Sequence, residues 1–117
     1  YHQEVGEYMI TSKVTDKLLD DVKNYLDIMY KDAETDKKLI GIISRGISRI
    51  DGIAGVKLDY EIEEMHRELL FDYCRYARSN AIEDFEKNFK SSLVSLRLSK
   101  DMLTYLSMEE NNGSEEI

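Results

Sequence analysis

Apolar residues recur at three- and four-residue steps along most of this chain, which is the spacing of one helix face. In Asp16–Tyr30 those positions are Leu18, Val22, Tyr25, Leu26 and Met29, and Thr15 and Asp16 stand where a side-chain oxygen can cap the first free amides. The polar run KDAETD separates this segment from the next. Thr35 or Asp36 can open a second helix over Asp36–Ile53, with Leu39, Ile40, Ile43, Ile47 and Ile50 as its buried face. Gly41 and Gly46 lie inside that span. Each costs about 1 kcal/mol relative to alanine in a helix interior, a cost that is tolerable where another helix packs close. Gly52 and Gly55 mark the end of the element.

Val56–Tyr60 alternates too briefly to argue for a sheet and reads as a short extended connector. A third helix is predicted from Glu61 to Arg78, burying Ile62, Met65, Leu69, Leu70, Tyr73 and Ala77. Ser79-Asn80 then interrupts the period. Asn80 followed by Glu83 fits a capping box, which predicts a break or sharp kink before a fourth helix from Ala81. Ile82, Phe85, Phe89, Leu93 and Leu96 carry that helix onward, with Glu83–Lys87 and Glu86–Lys90 as supporting i,i+4 pairs. Arg97–Met108 either extends it or stands off as an arm, and NNGSEEI lacks any apolar period and reads as a flexible tail. The expected architecture is all-α: a compact four-helix domain over 9–98, then a C-terminal arm and flexible acidic tail over 99–117. Met9 suits a start, so 1–8 reads as a flexible leader of expression origin.

Composition agrees. The 117 residues suit one domain, and the chain has neither proline nor tryptophan. The net charge is −8, with −2 in residues 1–8 and −4 in 109–117, which leaves −2 for 9–108. The body is therefore nearly balanced between acidic ends. Phosphate binding draws on clustered Lys and Arg, and no stretch here is strongly basic, so sequence-specific nucleic-acid binding is not expected. A single cysteine, Cys74, excludes an internal disulfide and points to a reducing compartment. No apolar run approaches 20 residues and no signal peptide is recognisable, so neither membrane nor secretion is expected.

Candidate chemistry thins out on inspection. Arg75 and Arg78 near Cys74 would lower a thiol pKa, but the cysteine falls deep in a helix with no phosphate cradle after it, so it reads as structural. Glu63 and His66 form a single E-x-x-H where helical di-iron sites use two, plus further glutamates. They read as a solvent-facing pair. The glycines do not form a dinucleotide fingerprint, and no serine sits in a nucleophile elbow. A helix-turn-helix reader would have only Lys37, Lys38, Arg45 and Arg49 on its second helix. No catalytic group, metal or cofactor is expected. What remains is surface. Four helices of this size do not readily bury every aromatic in FDYCRYARSNAIEDFEKNF, so Phe71, Arg75 and Tyr76 are candidates for a protein contact, a residue mix enriched in interface anchors.

Three segments in this order, TDKLLDDVKNYLDI, TDKKLIGIISRGISRIDGIAG and ELLFDYCRYARSNAIEDFEKNFKSSLVSLRL, resemble the small head-tail connector proteins of tailed bacteriophages and prophages. The likeness covers roughly residues 10–98. Its strongest part is Leu69–Leu98, a tyrosine-rich helix, the Ser79-Asn80 pair, then F-E-x-N-F and a leucine-rich end. The resemblance implies a helical adaptor that assembles as a ring of about a dozen subunits beneath the portal. Its partners would be the portal protein, a tail-side head completion protein and further copies of itself. It would act at the virion head–tail junction, after synthesis in the host bacterial cytoplasm. The family supplies no catalytic residues and no contact motif. From the surface argument alone, Phe71, Arg75 and Tyr76 are expected on one face of the ring contact, and Arg45 and Arg49 are expected to meet Glu83 and Glu86 of a neighbour. The rival class is a small cytoplasmic all-helical regulator that binds one protein partner, or DNA as a dimer.

Overall fold

The computed structural model describes residues 14–116, with side chains as far as Glu109, and every regular element in that span is helical. The expected leader, 1–8, lies outside the described residues. The first helix, α1, is Asp16–Tyr25, and the Thr15 hydroxyl caps it by accepting the Leu18 amide at 3.1 Å. It ends at Tyr25 rather than Tyr30 because Asp27 turns left-handed at φ 60°. The Asp27 amide then donates to the Asn24 carbonyl (3.2 Å) and the Ile28 amide to that of Lys23 (2.9 Å). This is a Schellman termination with an aspartate where glycine is usual. The reversal changes the buried face. Ile28 enters the core, while Met29 is 86% exposed and Tyr25 is also exposed, contrary to the helical extrapolation through Met29.

The second helix, α2, is Ala33–Ala54. Its cap is Asp32, not Thr35 or Asp36: the Asp32 carboxylate accepts from the Thr35 amide at 3.3 Å and from its hydroxyl at 2.6 Å. Asp36 instead pairs with Lys23 of α1 at 2.8 Å. Leu39, Ile43, Ile47 and Ile50 are buried as the period predicts, with Ile40 packed at the core edge. Gly46 is where α2 meets the third helix. A Cβ there would lie 2.7 Å from the Tyr73 ring and 2.8 Å from Leu70, so the missing side chain sets the approach. Gly55, at φ 78°, ends α2 by donating its amide to Asp51 at 2.8 Å.

No strand forms among the described residues after Gly55. Asp51 gathers the connector instead, accepting from the Tyr60 hydroxyl at 2.7 Å and the Leu58 amide at 3.2 Å. The third helix, α3, is Met65–Arg78. It begins four residues later than predicted, because Glu64 is extended and the Asp59 carboxylate holds the Glu61 amide at 3.0 Å. Ile62 and Met65 are consequently exposed, whereas Leu69, Leu70 and Tyr73 are buried and Ala77 half-buried.

Asn80 closes α3 with φ 54°: its amide reaches Ala77 at 3.1 Å and the Ala81 amide reaches Tyr76 at 2.9 Å. The predicted Asn80–Glu83 capping box does not form. An N-cap needs extended backbone, and a left-handed Asn80 already serves the helix before it. Ala81 precedes α4 (Ile82–Asn88) with no side-chain cap, and α5 (Lys90–Glu116) follows after Phe89 alone. The Phe89 amide still bonds Phe85 at 2.9 Å, so the interruption is a one-residue irregularity. There are thus five helices among the described residues, where four were expected. Phe85, Leu93 and Leu96 are buried and Phe89 half-buried, as predicted, but Ile82 is exposed. α5 runs through Arg97–Met108 and onward to Glu116, where a structureless tail was expected. No described helix is long and apolar enough to cross a membrane.

Candidate protein-contact surfaces

Phe71, Arg75 and Tyr76 do not form one patch. Phe71 and Tyr76 are five residues apart, so their directions from α3 differ by about 140°. Phe71 is half-buried against Tyr25 of α1 (ring centroids 5.4 Å), with the Arg67 guanidinium 4.6 Å from its ring centre. Tyr76 points to the other side, edge-on to Phe85 (5.9 Å) and Phe89 (5.7 Å), and its hydroxyl accepts from the Asn88 amide group at 3.1 Å. Both rings close the rim of the core. Arg75 stays exposed between them, 3.1 Å from Asp72 and 4.9 Å over the Tyr76 ring. The Tyr25 hydroxyl donates to the same Asp72 carboxylate at 2.7 Å, and that bond, more than burial, raises its pKa above the ordinary tyrosine value.

The expected charge contact is partly used up inside the chain. Arg49 of α2 pairs with Glu86 of α4 in the same molecule, an exposed ion pair between the two helices. Arg45 is exposed, with its guanidinium lying back over Gly41, and Glu83 is exposed at the start of α4. Arg45 and Glu83 are thus the two candidate charges with no ion pair among the described residues, while Arg49 and Arg75 are exposed but already paired, with Glu86 and Asp72.

The readings of Cys74 and His66 part company. Cys74 is fully buried, and burial pushes its thiol up to about 12, so it is protonated at neutral pH. His66 is not the solvent-facing partner of Glu63: it is only 2% exposed. Its Nε2 lies 2.6 Å from the Asp59 carbonyl, its ring stands edge-on to Tyr60 (5.2 Å), and Glu64 is 3.5 Å from Nδ1. Among the described residues no group of three or more His, Cys, Asp or Glu is placed to hold a metal.

Sequence reasoning missed Arg67. Its guanidinium is buried, donating to the Tyr60 carbonyl at 2.8 Å and to Asp21 of α1 at 2.8 Å, with Glu63 3.2 Å away. One side chain therefore ties α1, the connector and α3 together. A faint signal existed: an acid beside the apolar stripe of one helix and an arginine beside that of another.

Among the described residues, α5 carries a run of exposed apolar side chains. Leu93 and Leu96 face the body, and Lys100 and Leu103 continue that side along a cleft beside Met65 and His66. Val94, Leu98, Met102 and Tyr105, at steps of four, four and three residues, lie on the opposite side. Leu98 is 63% exposed, Met102 and Tyr105 58% each. Where this stripe begins, α5 and α2 enclose a groove of about 420 Å3 walled by Ile53, Leu93, Val94 and Leu98 and rimmed by Arg49, Glu86, Lys90 and Arg97.

No protein family, curated protein or solved structure matches this chain.

Proposed function

We propose that this protein is a structural adaptor of a tailed phage or prophage, which joins head to tail by assembling as a ring of about a dozen copies under the portal. The observation that carries the reading is how the residues of the family resemblance behave together. Tyr73, Tyr76, Phe85 and Phe89, drawn from its strongest part, form one aromatic cluster with centroid spacings of 5.1–5.9 Å across α3, α4 and the residue that joins α4 to α5, edge-on except for the stacked Phe85–Phe89 pair. The residues that carry the resemblance thus pack as one unit, which supports reading them as a structural pattern. A second support is the exposed stripe on α5. Monomeric proteins rarely expose contiguous apolar surface of that kind, and such surface marks sites of association.

The portal protein and a tail-side head completion protein are the partners this reading assigns, at the virion head–tail junction. The test starts with the gene's neighbours. Portal and major capsid genes should lie just upstream, and the purified chain mixed with that portal should give rings visible by negative-stain microscopy. A chain that leaves the portal unchanged in sedimentation and in images, at every ratio tried, refutes the proposal.

A further inference from the structure

We infer that the outer end of the α5 apolar stripe, Met102 and Tyr105, seats in the α2–α5 groove of a second copy of this chain, making a head-to-tail contact. It deepens the adaptor reading, and rests on that reading only in expecting the series of contacts to close into a ring.

Three observations carry it. First, beyond the groove the arm turns Met102 and Tyr105 away from the body, each 58% exposed. In a single copy that apolar surface stays in water, so covering it is favourable. Second, the arm does not reach its own groove. Val94 and Leu98 already form the groove wall, and Met102 and Tyr105 lie further along the same unbroken helix. Tyr105 is about 16 Å beyond Val94 at 1.5 Å per residue. A second copy offers the arm that this groove cannot take from its own helix. Third, the charges match. On the groove rim Arg49 is paired with Glu86 and Arg97 lies 3.8 Å from Asp101, which leaves Lys90 as the base with no ion pair among the described residues, while residues 109–117, after the stripe, carry −4. An apolar ridge followed by acids fits an apolar trough with a base on its rim.

The contact joins two different surfaces, so each copy offers one arm and one groove and the series propagates around a rotation axis. Pairing of two arms across a two-fold axis would stop at a dimer. Sedimentation velocity of the full chain across concentration separates these, using variants that damage one surface at a time. Met102→Asp spoils the arm and leaves the groove. Val94→Glu spoils the groove wall. Ile53→Glu does so from α2, away from the arm, and because Ile53 is half-buried its melting curve is recorded alongside, with Val94→Glu carrying the test if it fails to fold.

Each variant alone should lose self-association by at least about 30-fold, the effect of removing one anchoring side chain. Mixed in equal amounts, an arm variant and a groove variant should form a one-to-one heterodimer and nothing larger, since one arm and one groove remain intact between them. The reversed pair Lys90→Glu and Glu109→Lys should restore association that Lys90→Glu weakens. A groove variant that still self-associates, a mixture that stays monomeric, or a wild-type chain that stays monomeric throughout overturns the inference. Portal binding is scored separately: a chain that binds portal without arm–groove contacts sinks this inference alone, and one that self-associates through them but ignores portal sinks the adaptor reading alone.

Discussion

Replacing Arg67 with methionine tests how much of the fold hangs on one buried guanidinium. Methionine keeps most of the aliphatic volume against Phe71 but removes every donor. The Tyr60 carbonyl, buried and 2.8 Å from Arg67 Nη1, loses a charged donor, a loss worth about 1.5–3 kcal/mol. Asp21 loses its partner, but with 28% of its side chain exposed it turns to water, so that part is closer to about 1 kcal/mol. Glu63 is 84% exposed and contributes nothing measurable. The cation–π contact with Phe71 adds about 0.5–1 kcal/mol. These losses are not additive, and together they place Arg67→Met at about 3 kcal/mol, a fall of roughly 10–20 °C in Tm for a domain of this size. The assay is urea unfolding followed by far-UV circular dichroism, with Arg67→Lys alongside. Lysine keeps the charge but lacks the planar fork that spans the Tyr60 carbonyl and Asp21 at once, so it should recover less than half of the loss. A cost below about 1 kcal/mol for methionine, or full recovery by lysine, would falsify the assignment of Arg67 as the tie between α1, the connector and α3.

Glycine substitutions in α2 should diverge although both sites gain the same helix propensity. Gly52→Ala, with nothing within 4 Å of the new Cβ, should stabilise by about 0.5–1 kcal/mol, whereas Gly46→Ala should give no gain and Gly46→Val should cost about 1–3 kcal/mol in chemical denaturation. Asp27→Gly should stabilise by about 1 kcal/mol by relieving a left-handed aspartate, while Asp27→Val should destabilise; equal melting temperatures for the two would contradict the α1 termination described here. Cys74 should resist thiol reagents in the native protein and react on unfolding. Its folded pKa, about 12, lies above its ordinary value of 9.0, so the folded state holds the proton longer than the unfolded one. That stabilisation is complete below pH 9 and is lost as pH rises towards 12. Tyr60, raised chiefly by burial and then by its bond to Asp51, acts in the same direction. Cys74→Ala should flatten the alkaline decline in urea midpoint, and an unchanged decline would refute the contribution.

The helical class and most of the core could be read from the chain directly. Leu39, Ile43, Ile47, Ile50, Leu69, Leu70, Tyr73 and Phe85 are buried where their period puts them, because a helix face repeats within a single element and needs no knowledge of its partners. The same reasoning placed the ends of α2 at Gly55 and α3 at Arg78 but failed at the end of α1 and the start of α4. Asp27 and Asn80 end helices in left-handed backbone, and a residue that suits both a cap and a turn does not announce which helix it serves. The burial of His66 and Arg67 was equally hidden, since Arg67 meets Asp21 across 46 residues and a buried charge is stable only when folding delivers that partner. The contact surface moved for the same reason. Composition singled out Phe71 and Tyr76 as surplus aromatics, but packing turned them into the rim of the core and left the open stripe on α5. Local periodicity sets which residues can share a face. Only the assembled helices decide which of those faces has already found its cover.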